Sequence, residues 1–201
     1  MNLKIAFLII IILEITRCNI IKHDKSSMPS NKNKIENSKS LIPVVEDKIL
    51  FHARFSNIDS NQVAHYVCEE FVSNALNNYT IAKMTKEFLS SLVCTKKSVF
   101  NRHDPAVIDT IYTFSNAENN IQLYRAKQND FIFTFDVTDP IFILIGNVKP
   151  GITKDFFIRK FQINEAINNK VQVVNSEGSM RFMFYFENNI LKRIDSYLYL
   201  D

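Results

Sequence analysis

Four groups of residues have the types and spacing that chemistry would need. His65 and Cys68 stand three apart with Glu69 beside them, so on a helix an imidazole and a thiolate would point the same way toward a metal ion. Zinc takes four ligands, or three and a water, and no second His/Cys pair lies near in sequence, so neither metal nor cofactor is expected. Cys68 and Cys94 are an even pair once Cys18 is set aside. In an oxidising compartment they are candidates for a disulfide between the first two predicted helices, which would contribute about 3 kcal/mol, with two buried thiols as the alternative. His103 and Asp104 precede Pro105, where an aspartate more often turns the chain than orients a histidine. Asn78-Tyr79-Thr80 fits the glycosylation acceptor pattern. Serines and aspartates are abundant but unmarked, so no nucleophile, base and orienting group can be assembled.

Composition removes other classes. Of 201 residues 46% are hydrophobic and 22% charged, enough apolar material for one globular domain. Lys and Arg number 24 against 21 Asp and Glu, with no long run of one sign, so no nucleic-acid partner is expected. The chain has three glycines, Gly146, Gly151 and Gly178, which leaves no material for a Gly-rich phosphate loop.

Lys4, the apolar run Ile5 to Leu13 and the polar Glu14 to Cys18 read as an export signal over residues 1–18, because a spanning helix needs about 20 apolar residues. Cys18 directly after that run is similar to the lipidated cysteine of bacterial lipoproteins, although Arg17 stands where a small residue is expected. Lipidation at Cys18 and ordinary cleavage after it both stay open. Residues 19–48, rich in Lys, Asn and Ser with Pro29 and Pro43, read as a disordered linker, and residues 49–201 as the folded domain.

The elements that must position any site follow from periodicity. "SNQVAHYVCEEFVSNAL" spaces Val63, Val67, Phe71 and Ala75 four apart and predicts a first helix; "TKEFLSSLV" predicts a second. "AVIDTIYTF", "NIQLYRA" and "FIFTFDV" predict a three-stranded meander. "TKDFFIRKF" predicts a third helix with Thr153 as its N-cap, and "KVQVV", "MRFMFYF" and "ILKRIDSYLYL" a second meander. Two phrases recur at nearly one offset. "MTKEFL" and "ITKDFF" lie 153 − 85 = 68 residues apart, and the two "ENNI" tetrapeptides 187 − 118 = 69. Repetition at a fixed period predicts an α+β fold of two tandem helix-then-antiparallel-meander units, about residues 60–145 and 146–201, with helices packed on one sheet face. The paired asparagines of "ENNI" are expected to take the positive backbone angles of tight hairpins.

"VKPGITKDFF" resembles the Gly-hydrophobic-Ser/Thr entrance to the helical part of the SmpA/OmlA (BamE) outer-membrane assembly lipoproteins, and the duplicated helix-plus-meander order looks like the tandem fold of β-lactamase-inhibitor-type proteins. The first match covers about ten residues; beyond Gly151, Ile152 and Thr153 nothing corresponds position by position, so no functional residue transfers. The resemblance implies a small exported α+β binding protein whose sheet supplies the contact surface.

Alternation assigns that surface. Phe131, Phe133 and Phe135, and Phe182, Phe184 and Phe186, are expected to form core rows. On the opposite side fall Arg181, Met183 and Tyr185, then Arg193, Tyr197 and Tyr199, with Tyr124 extending the face in the first unit. Tyrosine and arginine are enriched at binding hot spots, so these residues are the expected contact set for a protein or peptide in the envelope or outside the cell. The function expected is an exported, non-enzymatic cell-envelope binding module, periplasmic or anchored to the outer membrane through lipid on Cys18, or else secreted. The alternatives are a secreted inhibitor of a hydrolase, and an enzyme with a site between the two units using His52, His65 or His103 beside a carboxylate.

Overall fold

The computed structural model describes residues 49–127, 129–165 and 167–198. The export signal, Cys18, the linker and Tyr199 lie outside the described residues. Among the described residues nine strands form one mixed sheet: β1 (Arg54–Ile58), β2 (Val63–Val67), β3 (Val93–Phe100), β4 (Ile108–Ser115), β5 (Asn120–Ala126), β6 (Asn129–Val137), β7 (Lys170–Val174), β8 (Met180–Glu187) and β9 (Ile190–Leu198). Their spatial order is β1-β2-β7-β8-β9-β6-β5-β4-β3, and every neighbouring pair is antiparallel except β2 with β7. Three short α-helices accompany it among the described residues: α1 (Glu69–Asn74), α2 (Ile81–Phe88) and α3 (Lys154–Lys160). No helix among the described residues is long and apolar enough to cross a membrane.

This corrects the expectation of two tandem helix-then-meander units: the sheet is undivided, it dominates the fold, and one hydrophobic cluster underlies it. The repeated phrases are not equivalent in space. Thr153 caps α3, its hydroxyl accepting from the Phe156 amide at 3.1 Å, whereas Thr85 lies inside α2, whose cap is Thr80. The two "ENNI" segments do each join a hairpin, β4 to β5 and β8 to β9. Asn188 and Asn189 take φ of 50° and 62°, as a two-residue turn requires. At the first copy the turn is made instead by Asn116, whose Oδ1 accepts from the Glu118 and Asn119 amides, while Asn119 accepts from the Thr138 amide at 2.9 Å and ties in the next connection.

The first predicted helix also divides. Val63, Tyr66 and Val67 are β-branched or aromatic and pair as β2; the helix starts only at Glu69, with Glu69 and Glu70 favouring its positive end. Four-residue apolar spacing fits a strand followed by a helix as well as one continuous helix. β3 escaped the periodicity because it is an end strand: most of its residues are exposed, so nothing apolar alternates.

The core sits between the helices and one face of the sheet. Phe71 of α1 is its hub, with ring centroids 4.9 Å from Phe161, 5.2 Å from Phe51 and 5.3 Å from Phe182. Phe157 of α3 reaches Phe184 and Phe186, so the second phenylalanine row is buried as expected. Tyr79, between α1 and α2, packs on Phe135 and donates to the Ile143 carbonyl at 3.1 Å. The first phenylalanine row is split. Gln122 pairs with Thr134 but Leu123 pairs with Ile132, so Phe133 is the extra residue of a bulge. Phe135 and Ile132 point into the core, while Phe131 is turned out and 44% exposed.

Candidate functional site

All three helices lie on the core side, and the opposite face carries most of the residues expected to make contacts. Along β8, Arg181, Met183 and Tyr185 alternate with buried Phe182, Phe184 and Phe186; along β9, Arg193, Asp195 and Tyr197 alternate with buried Ile194, Ser196 and Leu198. Register joins them across strands, Arg181 with Tyr197, Met183 with Asp195 and Tyr185 with Arg193. Next comes β6, with Thr134 opposite Tyr197 and Asp136 opposite Asp195. Gln122 stands opposite Thr134 and Tyr124 opposite Phe131, which brings Tyr124 onto the same face.

Electrostatics holds this face in one arrangement. Arg193 donates to both oxygens of Asp136 at 2.7 Å and its guanidinium lies 5.4 Å from the Tyr185 ring centroid. Arg181 covers the Tyr197 ring at the same distance. Both tyrosines are therefore stacked by arginines, and Tyr197 is still 53% exposed. Burial raises the Asp195 carboxyl above the usual range, and the neighbouring Asp136 charge pushes it further against the pull of Arg193 and Arg181.

Toward the β3 end the face deepens into a cleft of about 600 Å³. Its lining comes from five strands and one loop: Val99 and Phe100 of β3, Asn101, Arg102 and His103 after it, Ile111 of β4, Tyr124 and Ala126 of β5, Phe131 and Phe133 of β6, and Tyr197 and Leu198 of β9. The sheet thus curls so that the β3–β4 loop faces the end of β9. The bulge in β6 is what supplies the aromatic floor, since without it Phe131 would share the buried side of Phe135.

Hydrogen bonds set the walls. Tyr124 donates its phenol proton to Oδ2 of Asp109, and Asn101 Nδ2 donates to the same oxygen at 2.7 Å. Asp109 is 2% exposed and its carboxyl is held below the usual range, first by the Tyr124 bond; the same contact raises the Tyr124 phenol. Asn101 Oδ1 accepts from the His103 and Asp104 amides at 2.8 and 3.0 Å, and its amide donates to the Val107 carbonyl at 3.0 Å. The loop bearing Arg102 and His103 is consequently fixed rather than loose.

The contact residues foreseen from sequence are thus gathered in part. Arg181, Met183, Tyr185, Arg193 and Tyr197 form one contiguous group, and Tyr124 joins Tyr197 across the cleft. Sequence reasoning missed Phe100 and Arg102, named His103 only for an enzyme site, and assigned Phe131 and Phe133 to the core; the bulge had no sequence signal, whereas Asn101 and Asp104 do mark a turn before Pro105.

The chemistry-bearing spacings are not realised. β2 ends at Val67, so His65 lies on the open face, 3.3 Å from Asp59, while Cys68 is buried at the start of α1. No cluster of metal-ligating side chains forms among the described residues. The expected Cys68–Cys94 bridge is not formed, and both thiols are free. Six strands separate β2, which leads into Cys68, from β3, which carries Cys94, so the two cysteines belong to distant parts of the strand order. Burial raises both thiols. In the glycosylation pattern Asn78 is exposed, but Thr80 is engaged as the cap of α2, accepting from the Lys83 amide at 3.2 Å.

Against family models, curated proteins and solved structures, the chain finds no match.

Proposed function

We propose that this protein is an exported, non-enzymatic binding module of the cell envelope, tethered by lipid if Cys18 is modified, and that the helix-free sheet face docks a protein or peptide. The export reading rests on the sequence of residues 1–18 alone. The docking reading rests chiefly on one observation: Tyr197 and Phe131 are 53% and 44% exposed on the face opposite the helices, beside arginines already fixed in position. Large aromatic side chains left uncovered next to ordered guanidinium groups contribute contact area at little further entropic cost. A scaffold whose hydrophobic core lies wholly on the other side tolerates such exposure without losing stability.

Site-specific photo-cross-linking tests this. A benzophenone amino acid placed at Tyr197 is expected to capture a discrete partner in source cells, and the same probe at Lys86 on exposed α2 is expected to capture none. Capture at Lys86 alone, or at neither position, contradicts the proposal. Palmitate labelling of the native chain, lost in Cys18→Ser, separates the tethered form from the released one.

A further inference from the structure

The two ends of the sheet are built differently. β1, at one end, is five residues long and broken by a bulge at Ser56, both of which spoil an edge for further pairing. β3, at the other end, runs eight residues with no proline, glycine or bulge. It pairs with β4 in unbroken register, from Val93 opposite Ser115 to Phe100 opposite Ile108, and has no strand on its far side among the described residues. Every second residue of such a strand turns its N–H and C=O away from its neighbour, so β3 keeps a straight row of backbone donors and acceptors for one more strand.

The side chains along that row are patterned. Val93 and Phe100, at its two ends, are 67% and 75% exposed. Lys96 and Lys97 hold its middle, one on each face. Opposite them on β4 stand Tyr112 and Ile111; the Lys96 ammonium lies 5.2 Å from the Tyr112 ring centroid, and the Lys97 side chain has no partner among the described residues. β3 carries no carboxylate, and the one on β4, Asp109, stands opposite Val99 and is bound by Tyr124 and Asn101.

The lysines decide which strand the edge takes. An antiparallel second copy of β3 that sets Val93 against Phe100 and Cys94 against Val99 also sets Lys96 against Lys97 twice, and like charges directly opposite destabilise a strand pair. Opposite charges at the same places stabilise it. The spacing reads alike in both directions, so a parallel and an antiparallel partner meet it with one pattern: apolar, two residues, two acids, two residues, apolar.

We propose that β3 is a docking edge for an extended segment of a different protein, added as a further strand, in which two adjacent Asp or Glu residues oppose Lys96 and Lys97 and apolar residues at either end cover Val93 and Phe100. Backbone hydrogen bonds supply the affinity, and the lysines turn away a second copy while accepting the acidic strand. Three strands separate this edge from β9, so it is a binding surface additional to the Tyr185 and Tyr197 group.

Selection of short random peptides displayed against the immobilised full chain tests the proposal. Enriched peptides are expected to carry adjacent acids with apolar residues three positions to either side, and to slow amide hydrogen exchange along β3. Synthetic copies are expected to bind Lys96→Glu/Lys97→Glu at least about tenfold more weakly than the native chain, because like charges then face each other. Should that variant fold poorly, Lys97→Gln replaces it, with a several-fold loss expected. Tyr185→Ser is expected to bind the peptides as the native chain does. Enriched peptides that lack acids, undiminished binding by the lysine variant, or exchange protection away from β3 each overturn the proposal. Loss of binding in Tyr185→Ser with none in the lysine variant overturns it while favouring the helix-free face. Failure to enrich any peptide also overturns it and leaves that face to its own cross-linking test.

Discussion

Arg193 on β9 grips Asp136 on β6 with two hydrogen bonds of 2.7 Å, across the junction where the β7-β8-β9 part of the sheet meets the β6-β5-β4-β3 part. The same guanidinium stacks on Tyr185. One side chain therefore fixes the carboxylate of one strand and the aromatic ring of another. Directly opposite Asp136 in register stands a second carboxylate, Asp195, half-buried and raised in pKa by that burial and by the Asp136 charge.

The sign of the Asp195 shift sets a pH signature. A carboxyl whose folded pKa is raised binds its proton more tightly in the native state, so its ionisation destabilises the fold. That penalty is absent below the unfolded value of about 3.9, grows as pH rises from there toward the folded pKa, and is complete above it. Asp195→Asn is expected to raise the thermal midpoint at pH 7 and to leave it unchanged near pH 3. A lowered midpoint at pH 7 contradicts the geometry.

The bulge at Phe133 predicts opposite fates for two residues of one alternating row. Phe135 is fully buried against Tyr79 and Phe142, and Phe135→Ala is expected to cost about 3–5 kcal/mol. Phe131→Ala is expected to cost about 1 kcal/mol or less, because that ring is 44% exposed. Denaturant unfolding of the two variants measures the difference; equal costs would place both rings in one core row and remove the cleft floor.

Gly146 has φ of 73°, and a Cβ there would lie 2.7 Å from Cε2 of Phe51, itself wedged between Phe71 and Phe161. Gly146→Ala combines left-handed strain with overpacking and is expected to cost about 2–4 kcal/mol. Gly178→Ala, at φ of 70° but with nothing within 4 Å, is expected to cost only about 1 kcal/mol. Urea midpoints distinguish the two.

Free thiols at Cys68 and Cys94 predict that both are alkylated when the purified protein is unfolded without reductant. Mass spectrometry reads the result, and protection of both until reductant is added would mean that the bridge forms after all.

Much of the sheet was legible from residues 108 to 198. Strands with alternating buried and exposed residues, such as "MRFMFYF", declare themselves, as does the β-branched run "KVQVV", and Thr153 with Asp155 declares the start of α3. β1 and β3 did not, because both are end strands whose residues are nearly all exposed and carry no two-residue rhythm. β2 was concealed by an apolar spacing that a helix shares. Pairing is less legible still: β2 meets β7 in parallel across more than a hundred residues, and no local pattern encodes such a partner. The open-face set from Arg181 to Tyr197 was readable because period two fixes faces wherever a strand is regular. The cleft was hidden because one inserted residue, Phe133, reverses the faces halfway along β6.

The decisive measurement is the affinity of the captured partner for Tyr185→Ser/Tyr197→Ser compared with the native chain, at matched thermal midpoints. If the helix-free face is the recognition surface, affinity falls at least about tenfold, in keeping with the loss of two aromatic anchors. Undiminished affinity in a folded double variant would place recognition elsewhere on the molecule and contradict the account.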